Sequence, residues 1–182
     1  MKRSTTRRDF LKRSTFAGVG FWVASQSVVG QSKSPNEKLN IGIIGCGGKG
    51  FSDMQGCASE NIVAICDVDE NQASGAKQAQ PQAKFYFDYR ELLEKEKTLD
   101  AVVVSTPDHM HAPASIMAMN LGKHVYTQTT LTHTVFEARQ LREIAKKNKV
   151  ATQMGNQGSA EDGLRRAVEV VQSGAIGPVR EV

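Results

Sequence analysis

Short apolar runs recur along the chain, and between them lie polar stretches with helical spacing. Ile41, Ile43 and Ile44 make the first run, and residues 62–66, 84–87, 100–105, 124–127 and 150–154 make the next five. Runs this short, bounded by glycine or polar residues, predict strands. The fourth holds Val102, Val103 and Val104 in succession, as a strand buried on both faces of a parallel sheet requires.

The intervening segments predict helices. A short one follows Gly50, and residues 69–79, polar and alanine-rich, form a surface helix. Asp88 precedes a helix buried through Leu92 and Leu93, and Glu91, three positions on, makes a variant capping box. Pro113 suits the first turn of a helix reaching Leu121, which leaves residues 106–111 as a loop. Thr134 and Glu137 open a capping box, followed by one apolar face at Val135, Ala138, Leu141, Ile144 and Ala145. A last amphipathic helix spans roughly residues 162–172. Strands alternating with helices over short loops predict an α/β fold, a Rossmann-type doubly wound parallel sheet.

Chemistry concentrates where the first strand ends. Gly45-Cys46-Gly47-Gly48-Lys49-Gly50 places glycines at the first, third and sixth positions, and a second strand then ends in Asp67. Gly45 permits a tight turn, Gly47 a close approach to a pyrophosphate, and Gly50 close packing of helix on strand. The helix N-terminus supplies free N–H groups to the phosphates. Asp67 is placed to accept from the adenosine ribose hydroxyls and to repel a 2′-phosphate. The expected cofactor is therefore NAD, favoured over NADP.

Net charge changes the picture once its location is known. The whole chain carries +4, but residues 1–30 hold six cations against Asp9, a net of +5, so residues 31–182 sit at −1. The body has no basic stripe, and a nucleic-acid partner is not expected. The basic leader reads as a twin-arginine export signal over residues 1–30. Arg7 and Arg8 are followed by Phe10, Leu11 and Lys12, then by an apolar stretch from Phe16 to Val29 too short to span a bilayer. Residues 31–37 read as a polar linker. The expected location is the periplasm, or outside the cytoplasm by the same route, with the twin-arginine machinery as a partner. Cys46, Cys57 and Cys66 have no metal or disulfide spacing and read as core thiols. His109 and His111, with Asp108 between them, fall short of a metal site, so no metal is expected.

With these residues in view, the chain resembles the Gfo/Idh/MocA family, the glucose–fructose oxidoreductases, inositol dehydrogenases and their relatives. The matching motifs are GIIGCGGKG (42–50), CDVDE (66–70), VVVSTPDHMH (102–111), GKHVY (122–126), LTHTVFEARQL (131–141) and GNQG (155–158). The resemblance implies an NAD-binding Rossmann domain over residues 38–158. Residues 159–182 would be a helix and the start of a second domain, with the C-terminal substrate domain missing. It implies hydride transfer between a nicotinamide and a sugar, cyclitol or related polyol. Gly45, Cys46, Gly47, Gly48, Lys49 and Gly50 would hold the pyrophosphate, and Asp67 the ribose. Ser105, Thr106, Pro107, His109, His111, Gln128 and Asn156 would edge the rest of the cofactor site. One departure stands out. The family has Glu-Lys-Pro or Gln-Lys-Pro where this chain has Gln128-Thr129-Thr130, so Thr129 occupies the place of a proton-handling lysine. A hydroxyl there is a poor general acid near neutrality, and the expected fragment binds nucleotide without turnover. Two other functions stay open: an NAD-dependent glycosidase of the same fold, and a non-catalytic nucleotide- or sugar-binding protein. A homo-oligomer is possible for the full-length family.

Overall fold

The computed structural model describes residues 38–181; the expected export signal and linker lie outside them. The chain begins with β1 (Asn40–Ile44), α1 (Gly48–Gly56), β2 (Asn61–Cys66), α2 (Glu70–Ala79), β3 (Lys84–Tyr86) and α3 (Tyr89–Lys95). It continues with β4 (Ala101–Val104), α4 (Asp108–Asn120), β5 (His124–Gln128), α5 (Val135–Asn148), β6 (Thr152–Gly155), α6 (Gln157–Ala160) and α7 (Asp162–Gln172).

All six strands pair in parallel, in the order β3-β2-β1-β4-β5-β6. That is the order of a doubly wound dinucleotide fold, with its switch point between β1 and β4. Such a sheet is covered on both faces, and two apolar clusters do this. Ile41, Ile43, Ile65 and Val103 pack with Met54 of α1 and Ala73 and Ala76 of α2. Ile44, Val102 and Val104 pack on the other face with Leu92 and Leu93 of α3, Met119 of α4 and Leu141 of α5. Along β1 and β4 the side chains therefore alternate between two buried layers.

The helix starts follow local chemistry. Asp69 Oδ1 accepts from Asn71 N and Asp88 Oδ1 from Arg90 N, each at 2.9 Å. At Thr134 both halves of the capping box form: Glu137 N donates to Thr134 Oγ1 and Thr134 N to Glu137 Oε2.

Two boundaries depart from the sequence pattern. The helix containing Pro113 begins at Asp108, so Pro113 lies inside it rather than in its first turn, and residues 108–111 are helical rather than loop. Pro107, with φ −59°, is the N-cap residue, Asp108 sits at the positive end of the dipole, and Met110 N closes the first turn on Pro107 O at 2.8 Å. Strand β6 starts at Thr152 rather than Val150. Lys149 ends α5 in a left-handed conformation (φ 55°), and Val150 N returns to Ala145 O at 3.2 Å, which holds Val150 off the strand.

Candidate functional site

The turn after β1 is built as its glycines require. Gly45 has φ +79° and donates its N–H to Cys66 O at 2.8 Å, linking the ends of β1 and β2. A Cβ on Gly45 would lie 2.7 Å from Ser105 O, and one on Gly50 only 1.8 Å from Gly45 O. Glycine at 50 lets α1 press against the strand end; glycine at 45 supplies the sign of φ. The N-cap of α1 is Gly47, with no side chain to satisfy the first-turn amides.

Asp67, at the end of β2, meets this turn. Its Oδ2 accepts from Cys46 N at 3.0 Å and Gly47 N at 3.3 Å, and its Oδ1 from Asp69 N at 3.1 Å. One carboxylate thus fixes the turn and holds its own loop. These groups line a cleft of about 550 Å³ along the carboxyl ends of β1, β2 and β4. Gly45, Gly47, Gly48 and Asp67 are among its lining residues. Val68, Phe87 and Tyr89 stand on one side, and Ser105, Thr106, Pro107, His109 and Met110 on the other.

Other expected residues sit elsewhere. His111 is buried at 1% exposure, its Nδ1 2.6 Å from Thr130 O and its Nε2 2.7 Å from Thr106 O. It is a brace between two backbone segments, not a face of the cleft. Gln128 is 5% exposed, and its Nε2 donates to Asp53 Oδ2 at 2.7 Å. Lys49 turns back to Asp53 Oδ1 at 2.8 Å. Cys46 and Gly50 are buried beneath the turn, while Asn156 is exposed beyond β6 and outside the cleft lining. Thr129 is exposed just after β5.

Several contributors are not in the sequence expectation. Phe87 and Tyr89 follow β3 and supply flat apolar surface at the cleft rim; aromatic residues at a strand end were the available signal. Gln72 of α2 crosses to the turn, where a Cβ on Gly47 would lie 2.9 Å from its Cβ. Asp53, one turn after Lys49 on α1, had no signal beyond that i,i+4 pair.

The thiols are electrostatically quiet. Burial, then the Asp67 charge, pushes Cys46 up to about 12; burial, then Cys46, pushes Cys66 up to about 12. Neither supplies a thiolate nucleophile near neutrality. Among the described residues, no cluster of three His, Cys, Asp or Glu side chains could hold a metal ion.

The arrangement fits a dinucleotide. A turn with no room for a Cβ at Gly45 or Gly50 meets an uncapped helix N-terminus, and a carboxylate stands one strand away. Thr106 Oγ1, on the cleft wall, is buried without a partner among the described residues. A ligand polar group is what such an atom lacks.

Comparison with known proteins agrees with this geometry. The family model GFO_IDH_MocA, described as an oxidoreductase family with an NAD-binding Rossmann fold, matches residues 39–156. A glycosyl hydrolase family 109 protein of Solibacter usitatus is 35% identical over 158 residues, covering 75% of this chain and 35% of its own length. An alpha-N-acetylgalactosaminidase of Shewanella oneidensis is 35% identical over 136 residues, 68% of this chain and 29% of its own. The chain spans about a third of the length of these curated relatives. Among solved structures, myo-inositol 2-dehydrogenase from Lactobacillus plantarum superposes with a TM-score of 0.67 at 26% identity, over 79% of this chain and 43% of that one. Scyllo-inositol dehydrogenase from Lactobacillus casei, solved with NAD(H) and scyllo-inositol, shares the fold at a TM-score of 0.66 and 22% identity, over 78% and 43% of the two chains.

Proposed function

The chain belongs to the Gfo/Idh/MocA oxidoreductase family, with its NAD-binding Rossmann fold, and from that premise we propose that it is the NAD-binding portion of an exported oxidoreductase acting on a sugar, cyclitol or related polyol. The observation that carries this is the Gly45–Gly50 turn at the β1–α1 junction, with Asp67 on its amides inside the cleft. The α1 N-terminus would hold the pyrophosphate, and Asp67 would take the adenosine ribose hydroxyls. Its negative charge disfavours a 2′-phosphate, so NAD is the expected partner rather than NADP. Phe87, Tyr89, Pro107 and Met110 offer apolar walls for the adenine. When bound, a nicotinamide dinucleotide supplies a hydride acceptor for a carbinol carbon.

The protein's contribution beyond binding is limited by Thr129. A threonine hydroxyl is a poor general acid near neutrality and cannot supply a lysine's cation, so this chain alone is expected to bind without turnover. The twin-arginine pattern at Arg7 and Arg8 supports export, and a nucleotide loaded before transport would have to leave slowly. NAD retained by protein purified from the periplasm supports that route; cytoplasmic retention of the precursor contradicts it.

A second reading is favoured by one finding: relatives at 35% identity are named as glycosidases. In that reading the same pocket serves transient oxidation, with no net change in NAD. Incubation of a longer form that carries a second domain, with Thr129→Lys and Thr130→Pro introduced, with NAD and a panel of free sugars and N-acetylgalactosaminides separates the two. Net NADH formation supports the dehydrogenase, and glycoside cleavage without net NADH supports the glycosidase. Nucleotide binding with neither activity is the result expected of the chain as it stands.

A further inference from the structure

Asp53 stands outside the cleft, yet it joins the elements that build it. Its side chain is 7% exposed. Oδ2 accepts from Ser105 Oγ and from Gln128 Nε2, each at 2.7 Å. Oδ1 takes Lys49 Nζ at 2.8 Å and Gln157 Nε2 at 3.4 Å. The donors come from the ends of β4 and β5, from α1 itself and from α6. Two donors on each oxygen fill the acceptor capacity of a carboxylate. A nearly buried carboxylate is costly to keep and is tolerated when saturated in this way.

The pairing also fixes which way Gln128 faces. Its amide nitrogen points to Asp53, and its oxygen lies against Gly155, where a Cβ would come within 2.6 Å. Gln128 therefore cannot turn over without losing one contact and crowding the other. Residues 129 and 130 leave β5 directly from this anchored amide, on the side of the switch point opposite Asp67.

We propose that Asp53 is a positioning residue: through Ser105 and Gln128 it locks the ends of β4 and β5 to the phosphate-binding helix, and so sets the nicotinamide-side half of the site. This rests on the dinucleotide reading above. It follows that residue 128 must offer a donor to Asp53. A glutamate side chain in place of Gln128 would bring two carboxylates to the distance now held by a hydrogen bond.

The test is a rescue cycle on the whole chain, read by calorimetric titration with NAD and with ADP-ribose, which lacks the nicotinamide. Gln128→Glu should weaken NAD binding about tenfold while ADP-ribose binding changes less than about twofold. Adding Asp53→Asn, whose amide can donate to the introduced carboxylate, should return NAD affinity to within about threefold of the unmodified chain. Thermal melting of each variant separates misfolding from mispositioning. Equal loss of NAD and ADP-ribose in Gln128→Glu, no loss at all, or no rescue in the double variant overturns the positioning role while leaving the dinucleotide reading standing. Failure of the unmodified chain to bind either ligand overturns that reading and the proposal with it.

Discussion

The two halves of the sheet edge are built differently. On the β1–β2–β3 side, the turn at Gly45–Gly50 is held by backbone fit and by one carboxylate, and β1 and β2 are buried almost throughout. On the β5–β6 side, Thr129 and Thr130 are exposed, three of the four residues of β6 are exposed, and none of α7 is buried. Leu164, Val168 and Val171, one stripe of α7 at helical spacing, stay 45–49% exposed. The β1–β2–β3 side is held together by its own turn and carboxylate. The β5–β6 side is tied through Gln128 to Asp53 and carries apolar surface on α7 that no described element covers.

If that contrast is right, substitutions should divide along it. The largest effect is expected at Gly50: alanine there drives a Cβ into Gly45 O and should cost about 3 kcal/mol of stability. Gly48, at φ +47° but with open space around it, should lose only about 1 kcal/mol as alanine. Chemical denaturation of both variants measures the difference, and equal losses would remove the packing role assigned to Gly50.

Next comes the cluster beneath β3. Glu96 is 7% exposed and accepts from Lys84 Nζ and from the Tyr86 hydroxyl. Glu96→Gln should cost about 1–3 kcal/mol. The Lys84 and Tyr86 hydrogen bonds hold the Glu96 carboxyl below its ordinary range, so its contribution is present above the unfolded value and is lost as pH falls through the folded one. Tyr86 runs the other way. Burial and Glu96 push it from 10.0 to about 12, so its contribution holds below pH 10.0 and fades as pH rises toward about 12. Stability against pH should fall at both ends, and Glu96→Gln should flatten the acid limb.

Smaller effects are expected at the thiols and on α7. Cys46 and Cys66, held up at about 12, should resist alkylation at pH 8 until the chain is denatured, while half-buried Cys57 reacts first. Val168→Lys should change stability by less than about 0.5 kcal/mol, because nothing among the described residues packs over it.

Much of this was legible in the residues. The six strands, their alternation with helices and the glycine turn come from short-range pattern, and the structure has all of them in that order, with only the starts of α4 and β6 displaced. What escaped were contacts that depend on sheet order. Asp53 lies 52 residues from Ser105 and 75 from Gln128, and nothing local marks it as their acceptor. The family resemblance placed His111 at the edge of the cofactor site. In three dimensions the helix starts three residues earlier than His111, and its first turn carries the ring inward between two carbonyls. Phe87 and Tyr89 read as strand and helix residues, and only the parallel register of β2 with β3 brings them to the cleft.

The most direct test of the central claim is titration of the unmodified chain and of Asp67→Ala with NAD and NADP under one set of conditions. The account predicts that NAD binds and NADP binds at least about tenfold more weakly, and that removing Asp67 erases most of this preference. NADP binding as tightly as NAD, or an Asp67→Ala chain that keeps the full preference, would contradict it.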